Sequence, residues 1–292
     1  MLIVRRVIFA KYGRATGTLT RYVSQNPNLS FGLLILVTVS LAAIFASVIG
    51  QVDPLKLDVQ HRLEGPSSSH WFGTDHLGRS VYSRTIHGGR LSLVVGASVV
   101  AITTVIGGLL GMIAGYDRRM DALLMRVLDG VMAFPGLLLA MALMAIWGAS
   151  LQNVIIAISV SASPSMARVM RSAVLSLRER PYVEAARAEG ASTWRILMVH
   201  IAPNTLAPMT IQTTFLLAIA MLTEAGLSFI GVGVPPSVPS WGNMVSTGRM
   251  YQEVAPWVVI FPGVVLTLTV LAANLVGDGL RDKLDPRLRG KL

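Results

Sequence analysis

The sequence contains no cysteine, so neither a disulfide framework nor a thiolate metal site can form, and redox chemistry says nothing about the compartment. Charge is scarce as well, at 14% of 292 residues against 53% hydrophobic, with a mean hydropathy of +0.61. That balance is too apolar for a soluble domain of this length and makes a membrane protein the default class. No Gly-x-x-x-x-Gly-Lys-Ser/Thr phosphate loop occurs, and the one Gly-Lys pair is Gly290-Lys291 in the tail. The chain is therefore not expected to hydrolyse ATP by itself. No internal repeat is visible.

What is present is a series of apolar runs free of Asp, Glu, Lys and Arg, at residues 31–49, 91–115, 130–149, 151–167, 204–223 and 257–277. Each is long enough, or nearly so, to cross a hydrocarbon core of about 30 Å as a helix. The runs lack the alternation of a membrane barrel strand, so six transmembrane helices in an all-α fold are expected. The first run follows a segment carrying Arg5, Arg6, Lys11, Arg14 and Arg21 and exceeds an ordinary signal core, which reads as a retained anchor.

With six spans, residues 1–30, 116–129, 168–203 and 278–292 share one side and hold 19 Lys or Arg, against 6 on the other. The positive-inside rule then gives N-in and C-in. The net charge of +10 is spread over short segments between spans, which topology explains better than nucleic-acid binding. The organisation expected is a cytoplasmic segment over 1–30, an anchor with its outer loop over 31–90, and a five-helix core over 91–292.

Within the spans the ordinary readings outweigh the functional ones. No acidic or basic residue and no histidine lies in the six runs, which disfavours an ion-coupled secondary transporter or a channel. Asp129, Glu224 and Asp278 sit at the run ends, where anchoring or capping suffices. His70, His76 and His87 fit no compact metal motif, so no metal is expected. Met120, Met125, Met132, Met141 and Met144 suit flexible apolar packing. Pro135 can start or kink the third span. Asn153, Gln212, Thr213, Thr214 and Asn274 can bond neighbouring helices or line a path. Gly107 and Gly111 have the spacing that lets helix backbones approach closely. Gly148-Ala-Ser150 leaves room only for a tight hairpin.

One polar stretch interrupts this pattern. Pro181 fits a helix start, Gly190 a break or C-terminal cap, and Ser192 the cap of a second helix running into the fifth span. Ala185, Ala186 and Ala188 leave the first helix thin enough for a partner to approach. Glu184 is spaced to pair with Arg180 and Arg187. The residues leave two readings equal: a partner-docking surface, or an amphipathic helix at the headgroups with Trp194, Leu197 and Met198 toward lipid.

Glu184-Ala185-Ala186, then Gly190, then Ile201-x-Pro203 resembles the EAA motif in the cytoplasmic loop of ABC importer permeases. Three further segments are similar to those of the dipeptide, oligopeptide and nickel permeases, closest to the C-type subunit: Phe72-Gly-Thr-Asp-His-Leu-Gly-Arg79 with Arg90-Leu-Ser-Leu93, Glu224-Ala-Gly-Leu-Ser-Phe229 through Trp241-Gly242, and Asn274 through Arg287. Ser80 and Gly89 depart from the Asp and Ala usual there.

The resemblance implies a type I ABC importer (MetI-like) permease core with no cofactor in this chain, ATP and Mg being bound by partners. It implies a second homologous permease, two ATP-binding subunits docking on Glu184, Ala185, Ala186, Gly190, Ile201 and Pro203, and a periplasmic or extracellular solute-binding protein. The setting implied is a bacterial inner (plasma) membrane and its lipid. Dipeptides or oligopeptides are the expected cargo, with nickel, glutathione or another small solute as the alternative.

Overall fold

A computed structural model of the chain describes residues 26–50 and 52–284. Arg5, Arg6, Lys11, Arg14 and Arg21, and the ending beyond Leu284, lie outside the described residues. The described chain is helical, with one isolated antiparallel bridge between Thr74 and Ser80. In order the helices are α1 Pro27–Ile44, α2 Val81–Tyr116, α3 Arg118–Met132, α4 Gly136–Trp147, α5 Leu151–Leu177 and α6 Pro181–Ala188. They continue as α7 Thr193–Ile230, α8 Trp241–Gly248 and α9 Trp257–Leu284.

Five of them, α1, α2, α5, α7 and α9, are long and apolar enough to cross a membrane, and α3 with α4 would make a sixth as one broken span bent by 85°. The apolar run at 130–149 is therefore not one straight helix. Phe134 precedes a proline, which disfavours helical geometry there, and Pro135 then stands extended as the N-cap of α4. Pro135 starts a helix rather than kinking one. The 12 residues of α4 rise about 18 Å, short of a full crossing.

Elsewhere the helices outrun their apolar runs. Ser80 caps α2 by accepting a hydrogen bond from the Ser83 amide, so the helix begins ten residues before the run and passes straight through Gly88 and Gly89. α5 carries Arg168 and Arg171 in its second half, and α7 continues past Glu224. Aliphatic stretches show where lipid would lie, while caps decide where the backbone stops.

Packing is densest between α2 and α5. A Cβ on Gly107 would meet the Ser163 carbonyl and Met166, one on Gly111 the Ala167 carbonyl and Met170, and one on Gly115 Val174 and the Arg171 carbonyl. The four-residue spacing lines these glycines into a groove for the α5 backbone. α4 and α5 form the hairpin: Gly148 turns the chain with φ +82°, Ser150 caps α5, and Asn153 Nδ2 donates to the Trp147 and Gly148 carbonyls at 2.8 and 3.0 Å. Gln212 of α7 donates to Ser165 of α5 at 2.9 Å. The polar side chains Asn153 and Gln212 thus bond neighbouring segments.

The segment over 52–80 is braced on the end of the bundle opposite α6. Asp75 accepts from the Leu77 and Arg79 amides and from Arg79 Nε at 2.7 Å. Trp257 Nε1 donates to the Thr74 carbonyl at 3.1 Å, and Phe72 stacks on Phe261. The two departures from the family pattern acquire a local account here. Ser80 is an N-cap, a position that Asp fills as well. Gly89 accepts the ring of Trp241, which would come within 2.8 Å of a Cβ at that position.

Candidate functional site

The stretch from Pro181 to Pro203 is built as a helix, a glycine turn and a second helix. α5 ends at Leu177, and Arg180 is extended at φ −80°, ψ 142°, as the residue before a proline must be. Pro181 occupies the first turn of α6, where its missing N–H costs nothing. At the other end Gly190 takes φ +80°, its amide donates to the Arg187 carbonyl at 3.1 Å, and the Ala191 amide donates to the Ala186 carbonyl at 3.0 Å. These two bonds close a Schellman cap, which requires a left-handed residue at Gly190. Ser192 then accepts from the Arg195 amide at 3.4 Å and opens α7.

Before α7 becomes regular, residues Ile196–Ile201 form a π-helical turn, followed at once by Ala202 and Pro203. Such a turn widens the helix and leaves a place where the backbone can adjust.

Burial divides the six motif residues in two. Ala186 and Ile201 are buried, whereas Glu184, Ala185, Gly190 and Pro203 are exposed. Val183, one turn before Ala186, is buried beside Ile196 and Ile201, in one apolar cluster with Met112 of α2 and Met170 and Val174 of α5. α6 is thus pinned along one stripe to the π-helical turn and, through the shared cluster, to the ends of α2 and α5. Charges reinforce the attachment: Arg178 Nη1 donates to the Gly115 carbonyl at 3.0 Å, and Arg187 lies over the Tyr116 ring at 6.0 Å.

Arg187 therefore turns to Tyr116, and among the described residues Glu184 forms no ion pair with Arg180 or Arg187. The carboxylate of Glu184 stays open to solvent in the first turn of α6, where the helix dipole favours a negative charge. The alternative of a headgroup-surface helix fits less well. Of the three residues it would turn to lipid, Trp194 is exposed, but Leu197 and Met198 pack against the apolar cluster. Beside the exposed ring of Tyr182, the open face of α6 shows Glu184, Ala185 and Ala188, small and polar residues rather than an apolar stripe.

Two ion pairs that spacing could not reveal join α3 to α5. Arg171 binds both oxygens of Asp121, its Nη2 at 2.6 Å from Oδ2, and Arg168 Nη2 lies 2.6 Å from Asp129 Oδ1. They hold the amphipathic α3 against the α6 end of α5. Asp129 is thus an interhelical partner. Glu224 is more surprising for a residue expected at a span end. It has no exposed surface, and its carboxyl accepts from Ser228 at 2.9 Å and from Ser92 of α2 at 3.3 Å. The i, i+4 pair Glu224 and Ser228 was the only local signal of this, and it does not reveal Ser92.

Of the three histidines, His76 stacks on Tyr251 and His87 bonds the Ser83 carbonyl, while His70 faces the ring of His61 at 6.0 Å.

Residues 107–290 match the family model described as the binding-protein-dependent transport system inner membrane component. A probable peptide ABC transporter permease of Sinorhizobium fredii is 48% identical over 93% of this chain and 93% of its own length. A dipeptide transport system permease of Alkalihalophilus pseudofirmus is 43% identical over 92% of this chain and 89% of its own. Among solved structures, inward-facing conformations of the MetNI methionine ABC transporter align with a TM-score of 0.57 at 20% identity, over 69% of this chain and 96% of that one. That last likeness concerns the fold.

Proposed function

The chain belongs to the binding-protein-dependent transport system inner membrane components, and from that premise we propose that it is one of two permease chains of an ATP-driven importer for peptides, coupled to its ATP-binding subunits through residues 181–203. The carrying observation is the division of that segment into a buried stripe fixed to the bundle and an exposed face of Glu184, Ala185, Gly190 and Pro203. A coupler needs both: a surface that a partner can grip, and a stiff connection behind it.

In this reading the two ATP-binding subunits close on nucleotide, α6 moves with them, and its anchorage passes the displacement to α2, α5 and α7. This chain performs no chemistry, holds no cofactor and lies with both termini in the cytoplasm, where the excess of basic residues would stand. A solute-binding protein would deliver cargo at the opposite face, built from residues 52–80 and 231–256. Peptides are the proposed cargo because the relatives from Sinorhizobium and Alkalihalophilus carry that description.

The absence of cysteine makes the test direct. Ala185→Cys, exposed on α6, is co-expressed with the candidate ATP-binding subunits and treated with a short thiol-reactive crosslinker. A conjugate to an ATP-binding subunit, with a yield that changes on adding ATP, is expected. Leu109→Cys, exposed in the middle of α2, gives none. Equal conjugation at both positions would remove the docking assignment. Uptake of a labelled dipeptide, competed by unlabelled peptide and unaffected by nickel, tests the cargo separately.

A further inference from the structure

We propose that the flank of α2 carries a phospholipid site, with the lipid phosphate at Arg90 and an acyl chain in each of two apolar grooves beside it. One groove, of about 350 Å³, runs between α1 and α2 past Ala43, Ile44, Val94 and Ala97. The other, of about 300 Å³, lies beside it on the same helix against Leu91, Leu151 and Val238. Arg90 and Val94 border both. The two troughs therefore adjoin along Arg90 and Val94, the arrangement that a two-chain lipid requires.

Depth agrees. Arg90 is the last charged residue before the uninterrupted apolar stretch 91–115, so its head stands where headgroup gives way to hydrocarbon, and Val94 and Ala97 follow one and two turns deeper. Partnership separates Arg90 from the other arginines on this side. Arg62 donates to the His76 carbonyl, Arg79 and Arg84 lie beside Asp75, and Arg249 covers the Phe229 ring at 4.8 Å. The exposed Arg90 guanidinium has no hydrogen bond, ion pair or ring contact among the described residues.

Neither groove is lined by Asp or Glu, so the site offers positive charge and nothing to receive a choline or ethanolamine cation. An anionic phospholipid is the complementary ligand.

The assembled transporter, extracted in mild detergent and loaded with phosphatidylglycerol, is read by native mass spectrometry. Retention of one phosphatidylglycerol per copy of this chain is expected, with phosphatidylcholine held less. Arg90→Gln should lower retention about fivefold, the weight of one basic side chain at an anionic surface. Arg90→Lys should hold the lipid, which separates lost charge from misfolding. Ala97→Trp fills the first groove, leaves the guanidinium intact, and should release the lipid too. Inorganic phosphate should not displace it. Equal retention by Arg90→Gln and the unaltered chain overturns the proposal. So does displacement by inorganic phosphate, which would mark a free-anion site, or an assembled complex that holds no lipid because a neighbouring subunit fills the grooves.

Discussion

Gly190 separates docking from folding more cleanly than any other position in the chain. Its φ of +80° demands a left-handed backbone, yet among the described residues, its chain neighbours aside, no atom lies within 4 Å of where a Cβ would stand. Every L residue placed there pays a similar backbone strain of about 1–2 kcal/mol, and none meets an internal clash. Alanine, leucine and tryptophan at 190 should therefore destabilise the isolated permease equally. A dependence on side-chain size can arise only from another molecule. With an ATP-binding subunit seated against α6, Gly190→Ala should bind it about as well as the unaltered chain, because the same backbone strain is present in the free and the bound permease. Gly190→Trp should lose about thirtyfold or more, as when a contact worth about 2 kcal/mol at an interface centre is destroyed. The assay is titration of the ATP-binding subunits onto the permease complex in lipid nanodiscs, with dipeptide uptake measured in parallel. If Ala, Leu and Trp bind alike, the exposed face of α6 is not the seat.

Glu224→Ala leaves the Ser92 and Ser228 hydroxyls without their acceptor inside the bundle, at about 1–3 kcal/mol each, whereas Glu224→Gln keeps the shape and one acceptor oxygen. Thermal unfolding in detergent should show the alanine variant clearly below the glutamine one, and equal midpoints would refute the account. Gly111→Ala drives a Cβ into the Ala167 carbonyl and should cost about 1–3 kcal/mol by overpacking, while Gly130→Ala, with no atom within 4 Å, should gain up to about 1 kcal/mol. A pair of melting curves with the two shifts of the same sign would contradict this.

Burial holds His76 below its ordinary value of 6.5, so the folded segment binds fewer protons there than the unfolded one and its stability falls as pH drops below that value. Protection of the amides across residues 52–80, measured against the intrinsic exchange rate at each pH, should fall between about pH 7.5 and about 5.5. His76→Phe, which keeps the stack on Tyr251, should remove the effect, and an unchanged profile in that variant would contradict it. Asp121→Arg or Arg171→Glu alone should loosen α3 from α5, and the double exchange should restore assembly; failure of the double variant would demote this pair.

The helical class and the crossing segments were legible because lipid leaves the backbone one economical solution, and apolar runs report it. Break points were legible where a residue has a single physical reason to be there: Pro181, Gly190, Ser192 and Gly148 all do locally what their chemistry requires. Two things were not. Helix ends set by caps, as at Ser80, extend beyond any apolar count. Pairings such as Asp121 with Arg171 or Glu224 with Ser92 join residues 50 and 132 positions apart, and no periodicity encodes them. The motif residues were readable as a set, but their division into buried Ala186 and Ile201 and exposed Glu184, Ala185, Gly190 and Pro203 needed the fold.

That division bears on how a push at α6 would travel in the coupler we propose. Val183 shares an apolar cluster with Met170 and Val174, and those two side chains lie directly on Gly111 and Gly115, which seat that part of α5 close against α2. A seam packed this closely transmits displacement stiffly, because it holds little free volume in which side chains could absorb it. The route into α7 differs. There the chain is continuous, but it passes through the π-helical turn at Ile196–Ile201 and then Pro203 and Pro208, each of which removes a backbone donor from the helix. One side of the coupler is therefore rigid and the other compliant, so α6 would carry α2 and α5 as a unit while α7 bends relative to them. That asymmetry would turn a translation at the proposed docking face into a change of angle between helices within the membrane.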